Sequence, residues 1–544
     1  MSAWAHAPVL LLSFAAMSPR AFVFALLGLV VVVIAGSVLD LMEVDAAQYA
    51  SMSRDMLTSD DWLQLHHRGN DYLDKPPLLF WLSALSFKIF GVHNWSYKLP
   101  SILFAFLGLY GTYRFAALHY AKEVARTATV MFGASAAFLV MTNDVRCDTI
   151  LTGSVIAAIW LGSAWMEQRR WWQLLGCAVA IACGMLAKGP MGAMAPLIAL
   201  GGEVIFKKRW SLLRDPWLYV LPVLVGALLV PMCIGLYEQH GMHGLRFYFW
   251  EQSFGRITGE NRWKDDSSYF FFTHEVLWQL LPWTLFVLVG LWRSVVALVN
   301  RQALNEYSSI TGAVLVFVAL SLSHFKLPHY LYVIVPLFAV QGALGWQAVE
   351  LRWLRNLQWS IVFLLVALLF VFLGYCFVEG AWPFLVGSLL IVVATILRTR
   401  SMPSAERLFT ATCWGWIVTA LSVNGHLYPV LLGYQANAQA GKWAQEQGLD
   451  ADRFYGMQVA GTALDFYKGH PVRWLSNAGE ARPVIAPGVV IYTDHLRFQE
   501  LLEAGLAPSS VITLPNYEVQ LLGLDFILPQ TRDAALNARY LLKY

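Results

Sequence analysis

The segment from Glu43 to Pro77 gathers carboxylates and a lysine into one polar stretch, with Glu43-Val44-Asp45 at its start and Tyr72-Leu73-Asp74-Lys75-Pro76-Pro77 at its end. An acid beside a fixed cation is what a site needs to hold a phosphate and to handle a proton or a developing positive charge. Each proline fixes its own backbone and restricts the residue before it, so Lys75 is expected on a stiff extended segment, and a rigid cation is a good phosphate hook. Lys326, in His324-Phe325-Lys326-Leu327-Pro328-His329-Tyr330, is a second lysine ahead of a proline, and Phe249 to Arg256 adds Glu251 and Arg256. Taken singly, each of these residues has a plainer reading. Glu43, Asp45, Asp144 and Asp148 serve equally as solvated loop charges, Asp148 as the N-cap of a helix starting at Thr149, and Lys75 as a lysine snorkelling to an interface.

The elements that must position these residues are membrane spans. A chain of 544 residues that is 58% hydrophobic and 13% charged cannot fold as one soluble core with a polar skin. Runs long enough to cross a bilayer recur from Phe22 to about Val423, and the length criterion gives about 13: near 22–39, 99–118, 125–142, 149–165, 171–187, 190–206, 216–236, 277–298, 308–323, 328–348, 358–377, 382–397 and 406–424. Lys and Arg cluster in alternate short loops, at Lys122 with Arg126, Arg169-Arg170, Lys207 to Arg214, Arg293 with Arg301, Arg352 with Arg355, and Arg398 to Arg407. Those loops are assigned to the cytoplasmic side. The run from Pro77 to Val92, short and interrupted by Lys88, is assigned as an interfacial helix so that Lys122 returns inside. The loops then left outside are the chemically rich ones: Glu43 to Lys75, Asn143 to Asp148, Lys188-Gly189-Pro190, Tyr237 to His274 and His324 to His329. The spans hold few carboxylates, which weighs against a proton-coupled transporter.

Residues 1–426, with an external loop over 40–98, are therefore expected to form the membrane domain. Residues 427–544 are expected to form a small external α/β domain, with strands near Phe454–Val459, Val472–Leu475, Val489–Thr493 and Val511–Leu514 and a helix near Leu496–Ala504. Asp494 and His495 read as surface residues of that domain. The six cysteines lie in or beside the apolar region without C-x-x-C spacing, so they read as small apolar filler. A net charge of +3 argues against nucleic acid as a partner. A cleaved leader is not expected, because residues 1–20 lack a basic start.

Met42 to Trp62 followed by Tyr72 to Leu78 resembles the first external loop of bacterial GT-C membrane glycosyltransferases, above all the lipid A aminoarabinose transferases and the related protein O-mannosyltransferases. The likeness extends through Asn143–Asp148, Ala187–Pro190, Glu251–Arg256, Leu281–Trp283 and Lys326–Tyr330. The resemblance implies a GT-C fold and an inverting transferase that takes its sugar from a polyprenyl-phosphate donor. It implies Asp45 as the catalytic acid, Asp148 as a second important acid, Lys75 on the donor phosphate, and Tyr72 and Tyr330 lining the site. It also matches Asp74 to a metal-binding acid, which would bring in a divalent ion. Arg256 and Lys326 are expected to assist Lys75, and Glu43 to join the substrate-binding set. Ala46 and Gln48 depart from the family, where a second acid and an arginine are common, and both changes bear on sugar or acceptor identity. The expected place is the bacterial inner membrane, with the C-terminal domain periplasmic. The expected acceptor is lipid A or another glycolipid. Transfer to protein Ser/Thr, and a lipid-linked sugar carrier or flippase without catalysis, are the alternatives.

Overall fold

The structure, a computed structural model, describes residues 17–252, 255, 267–459 and 461–544. It is a helical membrane domain carrying a small α/β domain. The first helix, α1 (Pro19–Ser37), is apolar almost throughout, starts with a proline at its first position, and has Ser18 as N-cap accepting from the Ala21 amide. A turn leads to α2 (Asp45–Ser59), a two-residue-stranded hairpin of β1 (His66–His67) and β2 (Asn70–Asp71), and α3 (Leu78–Phe90). Then come α4 (Asn94–His119), α5 (Lys122–Gly133), α6 (Ala136–Asn143), α7 (Cys147–Gln168), α8 (Trp171–Lys188), α9 (Met191–Phe206) and α10 (Pro216–Arg246). Helix α7 is the hub, buried along nearly its whole length. It packs on α4 and α8, and α8 meets α9 where a Cβ on Gly192 would come within 2.2 Å of the Gly184 carbonyl carbon, so only glycine allows that crossing.

Among the described residues eight helices are long and apolar enough to cross a membrane, or nine if α5 and α6, bent by 52° at Ala134-Ser135, form one span. The remaining expected spans also fall on helices, but on ones outside this long apolar set. Three of the expected spans are helices of only 14–16 residues, α9, Thr284–Val299 and Ser308–Ser321, and the helix Ser404–Ser422 is not in the long apolar set. The segment after Pro77 is a 13-residue helix, too short to cross upright, in line with the interfacial assignment.

The polar loops separate into two groups at opposite helix ends. At one end Arg169 pairs with Asp215 at 2.5 Å, Arg209 with Glu167 at 2.6 Å, Lys207 donates to the Asn305 carbonyl and Tyr120 to Glu306. These are the basic loops. The loops at the other end, expected to lie outside, meet one another as described below.

The C-terminal domain has a five-stranded sheet in the order β4-β3-β5-β7-β6, from β3 (Phe454–Met457), β4 (Arg473–Leu475), β5 (Val490–Asp494), β6 (Ser510–Asn516) and β7 (Asn537–Lys543). Strands β4, β3 and β5 run parallel, and β7 is antiparallel to both neighbours. Alternation along β5 sends Val490 and Tyr492 to one face, against the helix Ala436–Glu446, and Ile491 to the other, with Leu501 of the helix His495–Glu503. Asp494 caps that last helix, accepting from the Arg497 amide, and pairs with Arg539.

Candidate functional site

Two helix starts and one helix end build the site. Asp45 is the first residue of α2 and Asp148 lies in the first turn of α7, where the unpaired amides and the positive end of the helix dipole favour a carboxylate. Asp148 is not the cap of its helix, because the helix starts one residue earlier with Arg146 at the N-cap. Helices α7 and α8 are joined by Arg169-Arg170, and such a short turn makes them antiparallel neighbours. The end of α8 therefore returns to the start of α7, and Lys188 in the last turn of α8 pairs with Asp148. His329 Nε2 lies 3.8 Å from the other Asp148 oxygen, and Lys188 Nζ stands 3.8 Å from the centre of the Tyr330 ring.

Arg146, absent from the expected site, ties Asp45 into this group. Its Nη1 donates to Asp45 Oδ2 at 2.5 Å and its Nε to Asp144 Oδ2 at 2.8 Å. Burial opposes the charge on Arg146, but the two carboxylates outweigh it and hold its pKa above the ordinary guanidinium value. Burial raises Asp144 above the usual carboxylate range, with Arg146 working against that shift.

The Lys75 loop arrives beside them. Tyr49 of α2 and Tyr72 both pack edge-on against Phe80 of α3, with centroids at 5.5 and 6.1 Å. Burial lifts the Tyr49 hydroxyl well above an ordinary phenol, and Tyr72, Asp45, Cys147 and Asp74 each push it further, so acids from both ends of the loop bear on one phenol. Tyr72 is raised by burial in the same way, with Asp74, Cys147 and Asp45 adding to it. Lys75 Nζ donates to Asp74 Oδ2 at 2.6 Å. Burial would lower the Lys75 pKa, but Asp74 and Tyr330 overcome it and the ammonium is held above the ordinary lysine value. Lys75, Pro76, Pro77 and Tyr72 line a cleft whose other walls include Leu63, Leu65, Met232, Leu236 and Tyr248. Most of these side chains are apolar, and Lys75 is the one cation among them. Gln252 donates to the Asp74 carbonyl and Gln239 to Asp71, which fasten the loop to α10 and to the segment after it.

Asp45, Tyr72, Asp74, Lys75, Asp148 and Tyr330 thus converge from three separate loops. Lys326 is buried beside the segment 267–269, donating to the Ser267 carbonyl at 3.2 Å and lying 5.5 Å from the Tyr269 ring. Arg256 lies outside the described residues. Glu43 is a correction to the expected substrate-binding set. Its Oε1 accepts from the Ala463 amide at 2.9 Å and its Oε2 from Asn437 Nδ2 at 2.8 Å, so both oxygens are taken by the C-terminal domain. The expected divalent ion rested on Asp74. The Asp74 carboxylate holds Lys75, and no three His, Cys, Asp or Glu side chains among the described residues converge to ligate a metal.

The residues that sequence reasoning missed, Arg146 and Lys188, had one signal each. Arg146 is a basic residue in a loop assigned to the outer side, against the charge rule, and Lys188 stands in a motif, Ala187 to Pro190, already noted for its likeness.

The fold defines a polytopic membrane protein of the GT-C architecture. A crystal structure of ArnT from Cupriavidus metallidurans bound to undecaprenyl phosphate matches it with a TM-score of 0.72 over 96% of this chain and 98% of that one, at 19% identity. The apo state of the same protein gives 0.68 over 89% and 94%, also at 19% identity. Residues 74–234 match the family described as dolichyl-phosphate-mannose-protein mannosyltransferase. Within the GT-C class the chain resembles the aminoarabinose transferases. The undecaprenyl phosphate-α-4-amino-4-deoxy-L-arabinose arabinosyl transferase of Edwardsiella ictaluri is 29% identical over 55% of this chain and 54% of its own length. A second-copy enzyme of that name from Proteus mirabilis is 22% identical over 78% and 73%. The chain spans about half the length of the Edwardsiella ictaluri enzyme and of the same-named enzyme of Pseudomonas aeruginosa.

Proposed function

We propose that this chain is an inverting glycosyltransferase that moves a sugar from a polyprenyl-phosphate donor to a glycolipid such as lipid A. The reaction takes place at the outer face of the bacterial inner membrane, with the C-terminal domain in the periplasm. The observation that carries the reading is the meeting of Asp45, held by Arg146, with Lys75 around Tyr49 and Tyr72, beside an apolar cleft. A cleft of mostly apolar side chains that includes a cation suits a prenyl chain carrying a phosphate.

In this reaction the bond between the anomeric carbon and the donor phosphate oxygen breaks. Its electron pair leaves with polyprenyl phosphate, whose added negative charge Lys75 stabilises. The acceptor oxygen attacks from the opposite face. One Asp45 oxygen is already held in place by the Arg146 guanidinium at 2.5 Å. The proposed role of Asp45 is to orient the acceptor and to stabilise the positive charge that grows on the sugar ring. That role suits an acceptor that needs no deprotonation, namely a phosphate group. The names of the aminoarabinose relatives and the undecaprenyl phosphate in the ArnT crystal structure support the donor class.

The test is release of polyprenyl phosphate from a polyprenyl-phosphate sugar by the purified protein with lipid A as acceptor. Release is expected to disappear in Lys75→Ala and Asp45→Ala, while Asp45→Asn keeps substantial turnover. Complete loss in Asp45→Asn would point to a hydroxyl acceptor and to a general base. Movement of the intact donor across vesicles without cleavage would point to a carrier and overturn the proposal.

A further inference from the structure

The C-terminal domain presents a knob of leucines that nothing among the described residues covers. Between residues 521 and 528, Leu521 is 72% exposed, Leu522 43%, Leu524 74% and Leu528 40%. The single charge in this stretch, Asp525, is exposed too and stands in the short helix Leu524–Ile527.

The knob is held rigidly from beneath. The Tyr517 and Phe526 rings stack at 3.9 Å, and the Tyr517 hydroxyl accepts from the Gly523 amide and donates to the Leu521 carbonyl. Phe526 is fully buried against Phe377 and Tyr434. Arg532 lies 4.3 Å from the Phe377 ring centre and donates to the Cys376 carbonyl at 2.6 Å, while Gln530 donates to the Tyr375 hydroxyl at 2.7 Å.

These three docking points, Tyr375, Cys376 and Phe377, end the apolar helical run Arg352–Cys376, which is long enough to cross the membrane and leaves most of its surface uncovered. The next helix, Trp382–Thr399, is still less covered and starts with Trp382 at 73% exposure. The leucines thus continue the uncovered apolar face of these helices, at the level of the last turn of a crossing helix. We infer that the leucine knob 521–528 inserts among the acyl chains of the leaflet on the active-site side and anchors the C-terminal domain to the membrane surface. This contact is independent of which sugar or acceptor the site takes.

The full-length protein carrying Leu524→Cys, labelled with the environment-sensitive fluorophore NBD, would be reconstituted into vesicles of phosphatidylethanolamine and phosphatidylglycerol. The unsubstituted protein, labelled in parallel, gives the background of the native cysteines, which are buried or half-buried. The expected result is blue-shifted emission that falls about two-fold or more when the lipids carry nitroxides on their acyl chains. Leu521→Cys should behave alike, and Leu496→Cys, on an exposed helix of the same domain, should stay water-like. Water-like emission at position 524 overturns the inference. So does blue-shifted emission that lipid nitroxides fail to quench, which would mean that protein covers the knob. Equal quenching at position 496 also overturns it, by making the whole domain the contact.

Discussion

Arg146 governs the chemistry open to Asp45, since one guanidinium bridges Asp45 and the buried Asp144. Arg146→Lys keeps the charge but cannot span both acids in the same plane. It is expected to lower kcat by about 100-fold, the scale of a displaced catalytic group, with KM for the donor little changed because Lys75 is untouched. Steady-state kinetics separates the two, and a rise in KM with kcat unchanged would make Arg146 a binding residue instead. Glu43, two residues from Asp45, answers to pH. Burial raises its pKa above 4.5, against the opposing hydrogen bonds from Ala463 and Asn437. The folded protein therefore takes up this proton before the unfolded chain does. Glu43 contributes stability as pH falls from the raised value toward 4.5, and that contribution is lost as pH rises through the window. Glu43→Gln should flatten this part of the curve of Tm against pH, and an unchanged slope would count against the assignment. The meeting of Asp45, Asp148, Lys75, Tyr72 and Tyr330 was legible because their motifs lie in loops of one sidedness. Arg146 was hidden, because its value comes from two partners that meet only in space. Glu43 was misread because its partners lie about 400 residues further on.

The loop that carries Asp45 depends on how α1 ends. The last turn leaves carbonyls without helical partners, and the buried Lys98 of α4 fills that need, its Nζ reaching the Gly36 and Leu39 carbonyls at 3.0 Å each. Gly36 also lies so close to Asn143 that a Cβ there would stand 2.0 Å from Asn143 Oδ1, which joins α1 to the end of α6. Lys98→Met keeps most of the stem but strands both carbonyls. It is expected to cost about 1–3 kcal/mol and lower Tm, with transfer falling alongside as the turn into α2 loosens. A Tm equal to wild type would show that water replaces the ammonium. Sequence reading began the second span at Leu99 and so left Lys98 in the loop, because a charge at a span boundary looks the same whether it snorkels outward or caps a neighbour. The four expected strands of the C-terminal domain were legible from apolar alternation. Strand β7 was not: Arg539 and Lys543 interrupt its pattern, although Leu541 and Leu542 are fully buried and the strand sits between β5 and β6.

At the scale of the molecule the C-terminal domain is bolted to the loop that bears the site. Lys442 pairs with Asp40 at 2.5 Å, Thr462 donates to the Val44 carbonyl, and Arg54 of α2 donates to the Asp465 and Phe466 carbonyls. The firmest bolt is Arg68 with Asp465. Arg68 and Gly69 both have positive φ, as a two-residue hairpin turn between β1 and β2 requires, and that turn presents Arg68 to the other domain. The Asp465 carboxylate is 2% exposed, accepts from Arg68 and from the Val472 amide, and has its pKa raised by burial despite both. Arg68→Ala alone leaves that carboxylate buried without its cation, a change expected to cost about 3–5 kcal/mol. Asp465→Ala with Arg68→Ala removes the stranded charge. The double variant should therefore be more stable than the sum of the two single losses implies, by about 0.5–3 kcal/mol of coupling. Thermal unfolding of the four proteins measures this, and transfer assays on the same set should follow the same order if the domain holds α2 and Asp45 in place. Additive losses in Tm, or transfer that ignores the order, would mean that the domain rests beside the site without positioning it.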